Sequence, residues 1–411
     1  MPSPTGRARS RRSPRVERSA SWWCASASRP VTDAALARLR AAYADPAAEV
    51  ARAHAAGTPV VGYFLNSVPI ELVLAAGMHP IRLTGRTERT PVRADRYMEE
   101  YFDGEVRAIF EALLAGEHAA LDLLVVPRSA EIYLQLYYWI GEIPRWEPEV
   151  ALPPAWLFDL LQTPSYTTTR YVIGRLHAMA ERLHRAGGVV IDDARLAGGI
   201  ALANRLRAAV TAASTLWHGE APRLSGADAL HVIAAAQILH PDEAIAVLEA
   251  LVGNPPAPIQ RSGPRLMVKG SPQHHTRFTM LVEDCGARVV AHDHIAGDRI
   301  FERPVRESGD PWEALALHYQ REIPGPRAYP QAREDARFLA LAEAAAVDGV
   351  VIIHDEWDDT LGWEYPDQKR AMDARGLPSL FLKRQSWFAP PEAAQRAAIG
   401  GFIDQIERGR A

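Results

Sequence analysis

Two apolar runs in the second half of the chain end in clusters of histidine and acid: GARVVAHDHIAGDR, from Gly286 to Arg299, and DGVVIIHDEWDD, from Asp348 to Asp359. In an open parallel sheet, ligands bind beyond the carboxyl ends of the strands, so polar residues that close an apolar run stand where chemistry is done. His292, Asp293 and His294 in one run, and His354, Asp355 and Glu356 in the other, are hard or borderline donors of the kind a divalent metal accepts. The same groups could move protons without a metal, with Glu356 or His292 as general acid or base. Alternation along a strand lets His292 and His294 face one side while Asp293 faces the other. Acids at strand ends also cap helices or meet solvent, and no metal is assigned to them.

An anionic group has its own candidate cradle. TPVVGYF runs into Asn66-Ser67 and the helix PIELVLAA, and RLMVKGS runs into a helix expected to open at Pro272. Asn66, Ser67, Lys269, Ser271 and the free amides of the two helix starts then face one cleft as substrate-binding groups. Arg299 could pair with a ligand carboxylate or phosphate. Asn-Ser caps and Gly-Ser-Pro turns are also what a chain needs to pass from strand to helix, and Arg299 could pair with Asp293 or Asp298 instead. His274 and His275 fall in the first turn of that second helix. Tyr133, Tyr137, Tyr138 and Trp139 have helical spacing and, with Trp146 and Trp156, suit core packing or a partner-facing wall.

The elements that position these residues belong to an ordinary globular protein. The 411 residues are 48% hydrophobic and 23% charged, enough for two or three cores. A net charge of -4 argues against a nucleic-acid or membrane-surface binder, which would carry a basic excess. Two cysteines, Cys24 and Cys285, suit a reducing compartment, hence the cytoplasm, and are too few for a structural zinc or iron-sulfur site. The first thirty residues, with Arg7, Arg9, Arg11, Arg12, Arg15, Arg18 and Arg29 among Ser, Pro and Ala, read as a disordered basic tail or an over-extended start. Arg11-Arg12 is followed by no apolar core of signal length.

Strand and helix patterns divide the rest into three stretches. Residues 31–150 form an N-terminal α/β module, 151–258 a helical insert, and 259–411 a C-terminal α/β module. A helix is expected over Asp95 to Ala115. The two modules echo each other: strand, Asn-Ser or Gly-Ser turn, Pro, helix, Gly, strand. The expected fold class is thus α/β, with two Rossmann-like or flavodoxin-like parallel-sheet modules and a helical insert between them.

With these residues in view, the chain resembles the 2-hydroxyacyl-CoA dehydratase family, which also includes subunits of ATP-dependent benzoyl-CoA reductases. The resemblance lies in GYFLNSVPIELVLAAGMHPIRLTG, RLMVKGSP, LVEDCGARVVAHDHIAGDRIF, DGVVIIHDEWDD and EYPDQKRAMDARGLPSLFLK, with NRLRAAV and RLSGADAL between. It runs in order from about Val31 to the final helix. It implies an acyl-CoA thioester as ligand, and cysteines at strand ends that hold a [4Fe-4S] cluster charged by a separate ATPase. Here Asp103, Ser129 and Trp357 stand at the positions that match those cysteines, and Ile295 and Gly325 where other members often have one more. Carboxylate and hydroxyl replace thiolate poorly around iron and sulfur, and Trp and Ile cannot ligate.

Three functions are compatible with this pattern. The leading one is a cluster-free subunit of an acyl-CoA dehydratase (lyase) or reductase, with no cofactor of its own. It would pair with a homologous iron-sulfur subunit as a heterodimer, or with itself as a homodimer. The second is a stand-alone redox-neutral or metal-assisted acyl-CoA enzyme, and the third a non-catalytic binding or regulatory protein of the same fold.

Overall fold

The apolar runs become strands buried on both faces, the pattern of a parallel sheet covered by helices. In the computed structural model, residues 20–163, 165–260, 262–323, 330–388 and 390–410 are described, with side chains from residue 31 onward. The strands are β1 (Val60–Tyr63), β2 (His79–Arg82), β3 (Leu123–Pro127), β4 (Ala155–Phe158), β5 (Arg265–Gly270), β6 (Arg288–Asp293), β7 (Gly349–Asp355) and β8 (Ser379–Gln385). They form two four-stranded parallel sheets, ordered β2-β1-β3-β4 and β6-β5-β7-β8. The two sheets therefore share one topology, and in each the strand order reverses at the centre, between β1 and β3 in the first and between β5 and β7 in the second. That reversal is where open α/β sheets bind ligands.

The first nine helices are α1 (Ala20–Ala44), α2 (Pro46–Ala55), α3 (Ile70–Ala75), α4 (Gly104–Leu114), α5 (Glu131–Trp146), α6 (Tyr166–Arg185), α7 (Asp193–His218), α8 (Gly226–Ala235) and α9 (Pro241–Gly253). Five more complete the set: α10 (Arg277–Asp284), α11 (Pro311–Arg321), α12 (Gln331–Ala344), α13 (Asp359–Asp373) and α14 (Glu392–Arg410). Alternate strand residues feed opposite cores. Val60 and Phe64 enter a core with α1, α4, α5, α8 and α9, while Val61 and Tyr63 enter one with α3, α6, α7 and α11. In the second sheet, Leu266 and Val268 pack with α10 and α14, and Met267 faces α12 and α13. Among the described residues no helix is long and apolar enough to cross a membrane.

Several expectations shift. Helix α1 opens at Ala20, ahead of residue 31, while residues 1–19, the side chains of Trp22, Trp23, Cys24 and Arg29, and Gly325 lie outside the described residues. Strand β4 extends the first sheet past residue 150, into the stretch expected to be helical. Helices α6 to α9, which lie in sequence between β4 and β5, pack on both modules: α7 packs on α3, and α8 presses Gly226 onto Val289 of β6. The expected helix over 95–115 begins only at Gly104, after a 3-10 turn at Ala94–Arg96. The helix expected to open at Pro272 begins at Arg277.

Candidate active-site cleft between the two modules

The residues beyond the reversal points are held mainly by one another. At the first, Ser67 after β1 and Ser129 after β3 are both buried and share a hydrogen bond. Leu65, just before, sits at φ +56, a conformation that β-carbon sterics penalise and that clusters at functional sites. Asn66 lies between Leu65 and Ser67, half-buried and engaged. At the second point, Gly270 has φ +123, and a Cβ there would stand 2.0 Å from Ile353 O, so only glycine fits. Ser271 then donates to Asp358 Oδ2 at 2.7 Å and accepts from the Asp355 amide at 2.8 Å, latching the β5 loop to the β7 loop. With α10 starting at Arg277, its first amides do not follow Ser271 directly; the 271–276 segment instead crosses to the first module.

Lys269 and Arg299 are committed to internal charge. Lys269 Nζ lies 2.5 Å from Asp293 Oδ2 and over the Phe338 ring, and Arg299 bonds Asp293 Oδ1 at 3.0 Å and the Glu334 carboxylate. Burial opposes ionisation of Asp293, but the two cations outweigh it and hold its carboxyl well below the usual carboxylate range. Of the partners open to Arg299, Asp293 is the one realised. His292 and His294 do share a side, their rings 5.8 Å apart. His292, however, is fully buried: its Nε2 meets Thr279 Oγ1 at 3.2 Å, its backbone amide donates to Asp298, and burial pushes the imidazole down to about 4. His354 stacks on Phe381 and bonds the Asp358 carbonyl. Among the described residues no three His, Cys, Asp or Glu side chains converge as a metal set.

A different group faces the space between the modules. Asp103 caps α4, accepting from the Val106 amide at 3.1 Å, as the late helix start requires. Desolvation first, then the charges of Glu105 and Asp355, push its carboxyl up to about 7. Across the cleft, burial and the neighbouring Glu356, Asp358 and Glu105 raise Asp355 to about 6, against the Trp357 amide that it accepts. Glu356 stands beside it, half-buried, its amide donating to Gln385 O. The half-exposed Trp357 ring meets Tyr101 at 6.4 Å across the same gap. A Cβ on Gly104 would stand 2.5 Å from Trp387 Cβ, so the modules touch here directly. His274 completes the bridge, with Nδ1 2.7 Å from Glu105 Oε1 and Nε2 2.7 Å from Arg82 Nη2. Of the three positions matched to family cysteines, Asp103 and Trp357 thus open on this gap, and Ser129 lies at the reversal point of the first sheet.

Motif and spacing do not mark Arg82 or Glu105, although a charged residue closing the buried strand HPIR is a signal that could single out Arg82. The aromatic run divides: Tyr133 is core, while Tyr138 and Trp146 are exposed. A family model described as 2-hydroxyglutaryl-CoA dehydratase, D-component, matches residues 66–406. The chain belongs to that family. The cleft residues from Asn66 onward fall within the matched span. Its relatives include (R)-2-hydroxyglutaryl-CoA dehydratase subunit beta of Acidaminococcus fermentans, 22% identical over 82% of this chain and 89% of the relative. A benzoyl-CoA reductase subunit of Thauera aromatica is 24% identical over 90% of this chain and 98% of the relative. The (R)-phenyllactyl-CoA dehydratase beta subunit of Clostridium sporogenes is 19% identical over 85% and 92%.

Proposed function

We propose that this chain is a cluster-free subunit of a cytoplasmic acyl-CoA dehydratase or reductase, binding part of the thioester in the inter-module cleft beside a homologous subunit that carries the iron-sulfur cluster. The observation that carries this reading is the donor set of the cleft. Asp103 is occupied as a helix cap, Ser129 is bonded to Ser67, and Trp357 has no ligating atom. The thiols of the chain are Cys24 and Cys285. Cys285 ends α10 ahead of β6, at the opposite end of that strand from the cleft, and burial raises its thiol above its ordinary value. These residues do not fit a thiolate-bound cluster. The names of the relatives, each a subunit of a dehydratase or reductase of a CoA ester, support the pairing.

The chain's own contribution is shape and protons. Lys269, Arg299, Ser67 and Ser271 fix the strand ends rather than reaching for the substrate, and His292 supports the rim from within. Asp103 and Asp355, with Glu356 at the edge, can hold a proton near neutral pH in a site closed by both modules. A second reading rests on that pair: a stand-alone, redox-neutral enzyme that uses the two carboxyls as acid and base. Titrating a 2-hydroxyacyl-CoA into the chain alone, and into the chain with its homologous partner, tests the proposal. Binding that needs or gains from the partner supports it; failure of the pair to bind any CoA ester overturns it. Turnover by the chain alone selects the second reading.

A further inference from the structure

The motif NRLRAAV, from Asn204 to Val210, lies in α7, and its polar residues Asn204 and Arg207 are buried. Three residues apart, they share one face of the helix, and Arg207 Nη1 donates to Asn204 Oδ1 at 3.1 Å. Arg207 Nη2 donates to Oε1 of Glu71, in α3, at 2.5 Å. The hydroxyl of Tyr319, in α11, stands 2.8 Å from Glu71 Oε2 and 3.2 Å from the Val68 carbonyl. At the other end Asn204 holds the backbone of Val305 twice, donating to its carbonyl at 2.8 Å and accepting from its amide at 2.9 Å. One buried hydrogen-bonded chain therefore runs from the Val305 backbone, through Asn204, Arg207, Glu71 and Tyr319, to the Val68 backbone. Burial opposes ionisation of Glu71, but Arg207 and His318 outweigh it and hold the carboxyl below its ordinary value.

The two ends of this chain belong to different sheets. Val68 follows Ser67 in the turn after β1, where Leu65 sits at φ +56. Val305 follows the 3-10 turn Asp298–Phe301, which leaves β6 and carries Arg299. Helix α11 comes after β6 in sequence, yet it packs on α6 and α7 in the core of the first module. A Cβ on Gly199 would stand 2.3 Å from Glu71 O, so glycine lets α7 reach the start of α3. A buried Glu–Arg pair gains little stability over apolar packing of the same volume, because both charges lose water. What it adds is direction: the guanidinium fork meets two acceptors at fixed angles, where an apolar contact slides. We infer that Asn204, Arg207, Glu71 and Tyr319 form a positioning relay that holds the turn after β1 and the turn after β6 as one unit. The relay acts on the backbone alone and does not depend on what the cleft binds.

Amide hydrogen exchange of the full chain, read at single residues, tests it with variants that cut the relay at one end and are observed at the other. Tyr319→Phe keeps the ring and removes the hydroxyl beside Val68; exchange of the Val305 amide should rise by roughly tenfold or more. Asn204→Ala releases Val305, and the amides of Leu72 and Ala76, at the two ends of α3, should speed up by a similar factor. Arg207→Lys keeps a positive charge beside Glu71 but loses the fork to Asn204, and should speed both segments together. The β7 amides of Val350 to Ile352 should be unchanged in all three variants. Acceleration confined to the segment that each substitution touches overturns the relay. Equal acceleration in β7 marks a plain loss of stability and overturns it as well.

Discussion

Replacing Asp103 by asparagine removes an ionisable carboxyl from the cleft while keeping the oxygen that caps α4 against the Val106 amide. In the folded chain this carboxyl is raised from an ordinary 3.8 to about 7, by desolvation first and then by Glu105 and Asp355. At about 1.36 kcal/mol per unit the shift would come to about 4 kcal/mol. Water reaching the partly buried group screens that, and about 2 kcal/mol is the working figure. The sign follows from proton binding: the folded state holds this proton more tightly than the unfolded one, so the contribution is fully present below pH 3.8 and is lost as pH rises through about 7. Urea denaturation at pH 4.5 and pH 8 measures it. Relative to Asp103→Asn, the wild type should lose about 1 kcal/mol between the two conditions, because at pH 4.5 part of the full contribution has already gone. Asp103→Ala should show the same pH dependence plus a constant cap loss of about 1 kcal/mol. A wild-type minus Asn difference that stays flat with pH would refute the placement of this carboxyl opposite Asp355.

Other substitutions probe the same frame. Asp355→Asn should lower the titration midpoint of Asp103, read by carbon-13 NMR of labelled aspartate, because it removes one of the charges that raise it; an unmoved midpoint means the two acids do not interact. Lys269→Met removes one of the two cations on the buried Asp293 and should cost about 3–5 kcal/mol in denaturant unfolding; a loss under about 1 kcal/mol would show that Arg299 alone suffices. Gly270→Ala drives a Cβ into Ile353 O in a left-handed backbone and should cost more than about 3 kcal/mol, seen as a large fall in melting temperature. A near-wild-type melt would mean that the β5 end has a different conformation.

How far the fold is legible in the sequence depends on the length and surroundings of each run. Seven strands are readable because each is an apolar run closed by turn residues, as in TPVVGYF and DGVVIIHD. β4 is four residues directly after Pro153-Pro154, half-buried at a sheet edge, and carries too little pattern to separate from the helices after it. The start of the helix over 95–115 is ambiguous because Asp103 as a cap competes with Asp95, and the structure uses Asp103, at the point where Gly104 packs on Trp387. Side-chain direction is the larger gap in the site. Lys269 and Arg299 look alike as ligand-facing or ion-paired residues until the β5–β6 pairing places Lys269 opposite Asp293. Arg82, Glu105 and His274 form one unit from positions up to 192 residues apart, a juxtaposition no local spacing encodes. The influence of Asp355 on the Asp103 carboxyl likewise exists only once the modules meet.

Whether the chain holds an iron-sulfur cluster of its own tests the cluster-free assignment most directly. Iron and acid-labile sulfide should be quantified in the chain purified anaerobically, alone and together with a cysteine-bearing homologous subunit, with the electron paramagnetic resonance spectrum after reduction. Iron and sulfide near zero for the chain alone, and one cluster per pair, are the expected values. A stoichiometric cluster in the isolated chain would contradict the cluster-free assignment.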